Sequence, residues 1–145
     1  MPDMTAGEAI EFVFTTEGWS RERTAALIAS LLPFPFWSPE AIVLGIRANF
    51  RCEYCQREFL ASPDDFKLWE RDHISRRHPS DNSLENLALA CLPCNSKFKC
   101  RWSPPDGTRA ERIDSVIDYV TSLRKVKSEE LMRVSEIVGS AVRNV

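Results

Sequence analysis

The sequence predicts an α+β fold in which a small two-strand-plus-helix unit at the centre of the chain is flanked by N-terminal and C-terminal α-helices. Three observations predict it. Two C-x-x-C pairs, Cys52/Cys55 and Cys91/Cys94, bracket the middle of the 145 residues. That spacing lets each pair offer two thiolates to one tetrahedral zinc while the chain between them folds back as a hairpin. Between the pairs, aromatic and branched residues at 66–74 and the apolar run at 86–90 read as strands separated by a polar loop. Outside the pairs, apolar side chains recur at helical spacing behind recognisable caps. The expected organisation is a helical segment at 1–46, the cysteine-bracketed core at 47–103 and a second helical segment at 104–145, packed as one domain.

In the first segment, Thr5-Ala6-Gly7-Glu8 reads as a capping box opening a short helix to about residue 14. Ser20 caps a second helix carrying Ala25, Leu27, Ile28, Leu31 and Leu32, and Pro33 stops it. Ser38-Pro39-Glu40 supplies an N-cap, a proline at the first helical position and an early acid for a third helix through about Arg47. The aromatic stretch Phe34-Pro35-Phe36-Trp37 is expected to pack beneath the core. In the core, the first strand ends at Asp72-His73, Asn86 opens the second, and a short helix begins at Cys94-Asn95 and runs to about Arg101. Pro104-Pro105-Asp106-Gly107 turns the chain. Thr108 then caps a helix with Ile113, Val116, Ile117, Val120 and Leu123, and Ser128-Glu129-Glu130 opens a last one with Leu131, Val134, Ile137, Val138 and Val142. Both stripes are expected to face the core.

Composition excludes several classes. An apolar fraction of 43% is ordinary for a globular protein. The longest apolar run is broken by Ser30, Pro33 and Pro35 and falls short of the roughly 20 residues that span a bilayer. With no basic-then-apolar leader at the start, the expectation is a soluble, intracellular, cytoplasmic protein with no membrane association. In that compartment paired cysteines serve metal rather than disulfides. Cys100 is left over and reads as a small apolar residue. Net charge is −2, which gives little bulk attraction to nucleic acid. The charge is uneven: residues 1–46 carry −4, residues 47–103 carry +2 and the remainder is neutral. Basic side chains thus gather on the core, chiefly Arg71, Arg76, Arg77, Lys97, Lys99 and Arg101.

A two-strand-plus-helix unit buries little apolar surface, so zinc at the four cysteines is expected to be structural and needed for folding. The bracketed Asp72, His73 and Asn86, with Asn95 directly after the last cysteine, are residue types that hold a hard cation and activate water. The order Cys52-x-x-Cys55, Asp72-His73-Ile74, Asn86-Leu87, Cys91-x-x-Cys94-Asn95 resembles the HNH nucleases, whose fold is the ββα-metal finger. It is most similar to the subset with four zinc cysteines and asparagine as the last motif residue. Twelve residues separate His73 from Asn86 and eight separate Asn86 from Asn95. The resemblance covers residues 47–102 and none of the flanking helices. One departure stands out: the family commonly has a lysine three residues after the final motif residue, and here that position is Phe98, between Lys97 and Lys99.

The resemblance implies a metal-dependent endonuclease acting on DNA. Asp72 and Asn95 would ligate one Mg²⁺ or Mn²⁺, His73 would be the general base, and Asn86 would tie the connecting loop and keep His73 oriented. Arg76, Arg77, Lys97 and Lys99 are the candidates for gripping the phosphate backbone. A rival zinc set, Cys52 and Cys55 with His73 and His78, has the ligand order of a two-Cys, two-His finger, but its gap of seventeen residues is long and it leaves Cys91 and Cys94 unused. The other function expected is a zinc-stabilised nucleic-acid or protein binding module of weak or no catalysis, or a nuclease subunit of a larger complex. In either case the flanking helices could serve a protein partner or a homodimer.

Overall fold

The computed structural model describes residues 4–143. Its elements are α1 (Ala6–Glu17), α2 (Arg21–Leu31), α3 (Pro39–Arg47), α4 (Pro63–Phe66), β1 (Trp69–His73), a 3₁₀ turn (Leu84–Asn86), β2 (Leu87–Cys91), a π-helix (Pro93–Lys99) and α5 (Arg109–Arg143). Helices on either side of a two-stranded antiparallel sheet make this an α+β fold. The three N-terminal helices begin where their caps predict. The Thr5 hydroxyl accepts from the Glu8 amide while the Glu8 carboxylate accepts from the Thr5 amide, and Ser20 and Ser38 accept from Arg23 and Ala41.

α3 is the central pillar. Every residue from Glu40 to Ile46 is buried, so it is apolar almost all round, as a helix enclosed by other elements must be. α1 and α2 pack on it from one side and β2 from another. β2 reads Leu-Ala-Leu-Ala-Cys and is buried on both faces. Gly45 serves close approach: a Cβ there would lie 2.6 Å from the Phe50 ring. The aromatic stretch packs as expected in part. Phe34 meets Phe66 edge-on, and Trp37 stacks on Trp69 at 4.1 Å. Phe36 departs from it and is 91% exposed.

Three further expectations are corrected. The first strand starts at Trp69 rather than Phe66, because Ser62 caps a single helical turn that ends at Phe66. Asn86 lies in the 3₁₀ turn, one residue before β2. No helix begins at Ser128, because the chain from Arg109 to Arg143 is one helix of 35 residues, about 52 Å long at 1.5 Å per residue. Nothing in residues 121–138 stops it, since both proline and glycine are missing there. Its first half packs through Val116 and Val120, with Tyr119 stacked on Trp102 at 4.2 Å. Its second half does not: Leu131, Val134, Ile137 and Val138 are 54–69% exposed rather than in the core, and the side chain of Val142, the last of that stripe, lies outside the described ones. None of the described helices is long and apolar enough to cross a membrane.

The segment after Cys91 is also not an α-helix. A π-helix closes i→i+5 bonds, as in the 2.8 Å contact from the Cys100 amide to the Asn95 carbonyl. More than four residues then fill a turn, and the side chain that returns to the face of Asn95 is four positions on rather than three. Lys99 therefore points inward, 1% exposed and paired with Asp72.

Candidate functional site

Four sulfurs form the first half of the site. The Sγ atoms of Cys52, Cys55, Cys91 and Cys94 all lie within 4.8 Å of one another, and Cys55 and Cys91 are 3.7 Å apart. A tetrahedron with Zn–S bonds of about 2.3 Å has edges of about 3.8 Å. The donor set and its spacing therefore fit zinc. The first knuckle is shaped by Gln56 at φ 66°, whose amide donates to the Cys52 carbonyl at 2.8 Å. Backbone amides of Tyr54 and Cys94 donate to Cys52 and Cys91 sulfur at 3.4 Å, which stabilises thiolate charge. Arg124 of α5 lies 4.7 Å over the Phe98 ring. Burial works against its charge, but the neighbouring Cys94, Cys55 and Cys91 outweigh it and hold its pKa up. The two-Cys, two-His alternative is overturned, since His73 turns to another partner and the cysteines gather without it. Cys100 is exposed and its thiol donates to the Ser96 carbonyl, so it is not the packed apolar residue expected.

The second half of the site is a cavity of about 480 Å³ in which Asp72, His73 and Asn95 meet. Asp72 and His73 end β1, and the π-helix brings Asn95 across from them. Asp72 is 6% exposed. Its Oδ2 accepts from the Tyr54 hydroxyl at 2.6 Å and from Lys99 Nζ at 3.1 Å. Burial raises its pKa, and Lys99 and Tyr54 pull the other way. The same burial, with the Asp72 charge beside it, keeps the Tyr54 phenol protonated. Asn95 Nδ2 donates to Glu70 Oε1 at 3.0 Å, and Ser96 donates to the same oxygen at 2.7 Å. Glu70 thus orients the asparagine amide. A carboxylate and an amide oxygen on one cavity are the right donor types for a hard divalent cation, although Lys99 shares the carboxylate.

His73 is half-buried and its Nε2 lies 2.7 Å from Asn82 Oδ1. An amide oxygen only accepts, so this contact calls for the proton on Nε2, the tautomer that in a neutral imidazole leaves the lone pair on Nδ1. Orientation by Asn86 is thus corrected, because the side chain that touches the imidazole is Asn82. Asn86 instead binds the loop to itself. It is fully buried; Nδ2 donates to the Ser75 and Asp81 carbonyls, and Oδ1 accepts from the Ser75 amide and from Arg112 at 2.7 Å. Arg112, 6% exposed on α5, also donates to Ser75 Oγ and the Glu85 carbonyl. Arg47 from α3 and Arg109 from α5 both donate to the Leu87 carbonyl. Three guanidiniums thus clamp the loop that carries Asn82. Arg112→Met removes hydrogen bonds to charge worth roughly 1.5–3 kcal/mol apiece before relaxation, and is expected to lower stability by about 3 kcal/mol. Urea unfolding checks this through a lower midpoint at unchanged slope.

Basic side chains rim the cavity. Arg71, Arg76, Arg77 and Arg101 line it, whereas Lys97 is exposed and outside the lining. Lys99 lines it from within, 1% exposed and tied to Asp72 and to the His73 carbonyl at 3.0 Å. Lys99, one of the candidates for holding the phosphate backbone, thus has its ammonium on Asp72 rather than out on the surface. Sequence reasoning missed Tyr54, Glu70, Asn82 and the arginine clamp. Glu70 alone had a local signal, since it lies two residues before Asp72 and so on the same strand face.

Residues 52–99 match the family model described as HNH endonuclease, about a third of the chain. The four cysteines fit that family's zinc-binding subset. The match points to a nuclease-related or nucleic-acid-related function for the segment. No curated protein and no solved structure matches the chain.

Proposed function

We propose, from the premise that the segment from Cys52 to Lys99 belongs to the HNH endonuclease family, that the protein is a metal-dependent endonuclease hydrolysing DNA phosphodiester bonds. The observation that supports it best is the meeting of Asp72, His73 and Asn95 in one cavity rimmed by arginines. His73 is the general base. With Nε2–H held by Asn82, Nδ1 takes a proton from the water that attacks phosphorus. The bond to the 3′ oxygen breaks, leaving a 5′-phosphate and, after protonation of the departing oxygen, a 3′-hydroxyl. Asp72 and Asn95 would hold one Mg²⁺ or Mn²⁺, which when bound neutralises phosphate charge and stabilises the departing oxygen. Lys99 and Tyr54 fix the Asp72 carboxylate, and Asn86 with Arg112 fixes the loop. Arg76, Arg77 and the exposed Lys97 hold backbone phosphates without reading sequence.

The helices at 1–46 and the first half of α5 serve as scaffold for the core at 47–103. The bare second half of α5 offers a surface to a protein partner or a second copy of the chain, which would supply the second active site that cutting both strands requires. Cysteines kept as zinc thiolates suit a cytoplasmic protein.

Asn82→Ala is expected to lower the cleavage rate roughly 10- to 100-fold, as loss of a functional imidazole's partner does. The ¹⁵N shifts of the His73 ring at about pH 8.5, where an ordinary imidazole is neutral, would show the tautomer becoming mixed. With two histidines in the chain, the assignment is simple.

Incubation with supercoiled plasmid at low salt, with Mg²⁺ or Mn²⁺ and with neither, tests the function. Cation-dependent nicking is the expected result. One observation favours a second reading, a zinc-stabilised binding module: Asp72 is already neutralised by Lys99. Zinc-loaded, folded protein that binds nucleic acid but leaves plasmid, branched and single-stranded substrates intact would establish it.

A further inference from the structure

We propose that Phe36 and Trp69 form a stacking platform for an unpaired nucleobase of the substrate strand, so that the preferred substrate presents single-stranded or branched nucleic acid next to the cut. The proposal rests on the nuclease reading and adds the substrate class. Phe36 is 91% exposed, while its neighbours Phe34 and Trp37 are held by aromatic contacts. Its backbone has φ 69°, a left-handed conformation that is an outlier for a bulky side chain and costs of order 1–3 kcal/mol. The fold thus tolerates strain at the most exposed of the large apolar side chains among the described residues. Strain of this kind clusters at ligand sites.

The ring borders a second cavity, of about 420 Å³, lined also by Ser38, Ala41, Trp69 and Arg71. That volume falls within the roughly 300–1,000 Å³ of small-ligand sites. Arg71 lines the catalytic cavity too, so the two are neighbours with Arg71 between them. The strand explains the alignment: Trp69, Arg71 and His73 alternate along one face of β1. Four residues at 3.3 Å put Trp69 about 13 Å from His73, so the base on the platform belongs to a nucleotide near the scissile phosphate and not to the scissile one itself. Arg71, held at 2.8 Å by Glu40 and 45% exposed, stands between them with a fixed charge suited to the joining phosphate. Two features select an unpaired base over a protein side chain as the occupant: the Arg71 guanidinium shared with the neighbouring catalytic cavity, and a free aromatic face of the kind on which single-stranded bases stack. A base inside a duplex has both faces covered by its neighbours.

The test is binding of the full-length protein to a single-stranded oligonucleotide carrying 2-aminopurine and to a blunt duplex of the same sequence, at low salt with no divalent cation added. The parent should quench the probe on the single strand. Phe36→Ala should weaken single-strand binding roughly 5- to 150-fold, the range for loss of one stacked base, abolish the quenching and leave duplex binding unchanged, while Phe36→Trp keeps both. Because Phe36 is exposed, the alanine variant should match the parent in circular dichroism and melting temperature. Equal single-strand binding by the parent and Phe36→Ala overturns the platform, as does an equal loss on both substrates. Either result leaves plasmid nicking, and with it the nuclease reading, standing. A parent that binds neither nucleic acid overturns both.

Discussion

Withdrawal of zinc unfolds the centre of the protein. Apparent zinc affinities in four-ligand peptide sites correspond to about 10–16 kcal/mol, more than the roughly 5–15 kcal/mol by which a domain is stable. The core around Cys52, Cys91 and Cys94 has little to replace it, because the sheet has two strands of five residues each. Cys94→Ser, or a strong chelator, is therefore expected to release the metal and abolish the cooperative thermal transition of the core. Fluorescence of Trp69 should shift to the red as its stack on Trp37 opens, and zinc released to a colorimetric dye should track the shift. A variant that loses zinc but keeps the parent's transition would show that the four sulfurs are not structural.

His73→Ala is expected to lower the rate of plasmid nicking by about 10²–10⁴-fold, the contribution of a positioned general base. Its zinc content and melting temperature should match the parent's, since the ring is half-exposed and its side-chain contact is to Asn82 alone among the described hydrogen bonds. His78→Ala is the control, because His78 is exposed and outside the cavity lining. It should nick at the parental rate. Equal loss in the two variants would point to the loop rather than to the imidazole.

Local chemistry was legible in the chain wherever it acts within a few residues. The caps at Thr5, Ser20 and Ser38 place three helices because a hydroxyl and an amide three positions apart are all that the motif needs. The paired cysteines declare the zinc site for the same reason. Ser62-Pro63 carries the same signal as Ser38-Pro39, and the strand-like composition after it concealed a single helical turn. The long helix was cut at Ser128 because a serine followed by two glutamates resembles an N-cap, yet a serine inside a helix is tolerated when nothing forces the chain to stop. What stayed hidden was long-range. Arg112 meets Asn86 across 26 positions and Lys99 meets Asp72 across 27, and no spacing rule connects such pairs. The inward turn of Lys99 was concealed by backbone geometry, since α-helical spacing miscounts across an i→i+5 turn.

The unequal packing of α5 divides one continuous helix into two energetic regimes. Its root carries Arg109, Arg112 and Arg124, which reach the loop and the zinc sulfurs, and cannot open without breaking the Arg109 and Arg112 hydrogen bonds and exposing the buried Arg112. Beyond about residue 126 the backbone is held by its own hydrogen bonds, and a free helix of that length is marginal in water. Amide hydrogens there should exchange orders of magnitude faster than those around Val116 and Val120, and proteases should trim the tip while the root, the cavity and the metal stay intact. Anything that seizes the tip would extend protection outward from an already rigid root, so occupancy of a surface far from the cavity can be read as exchange protection alone.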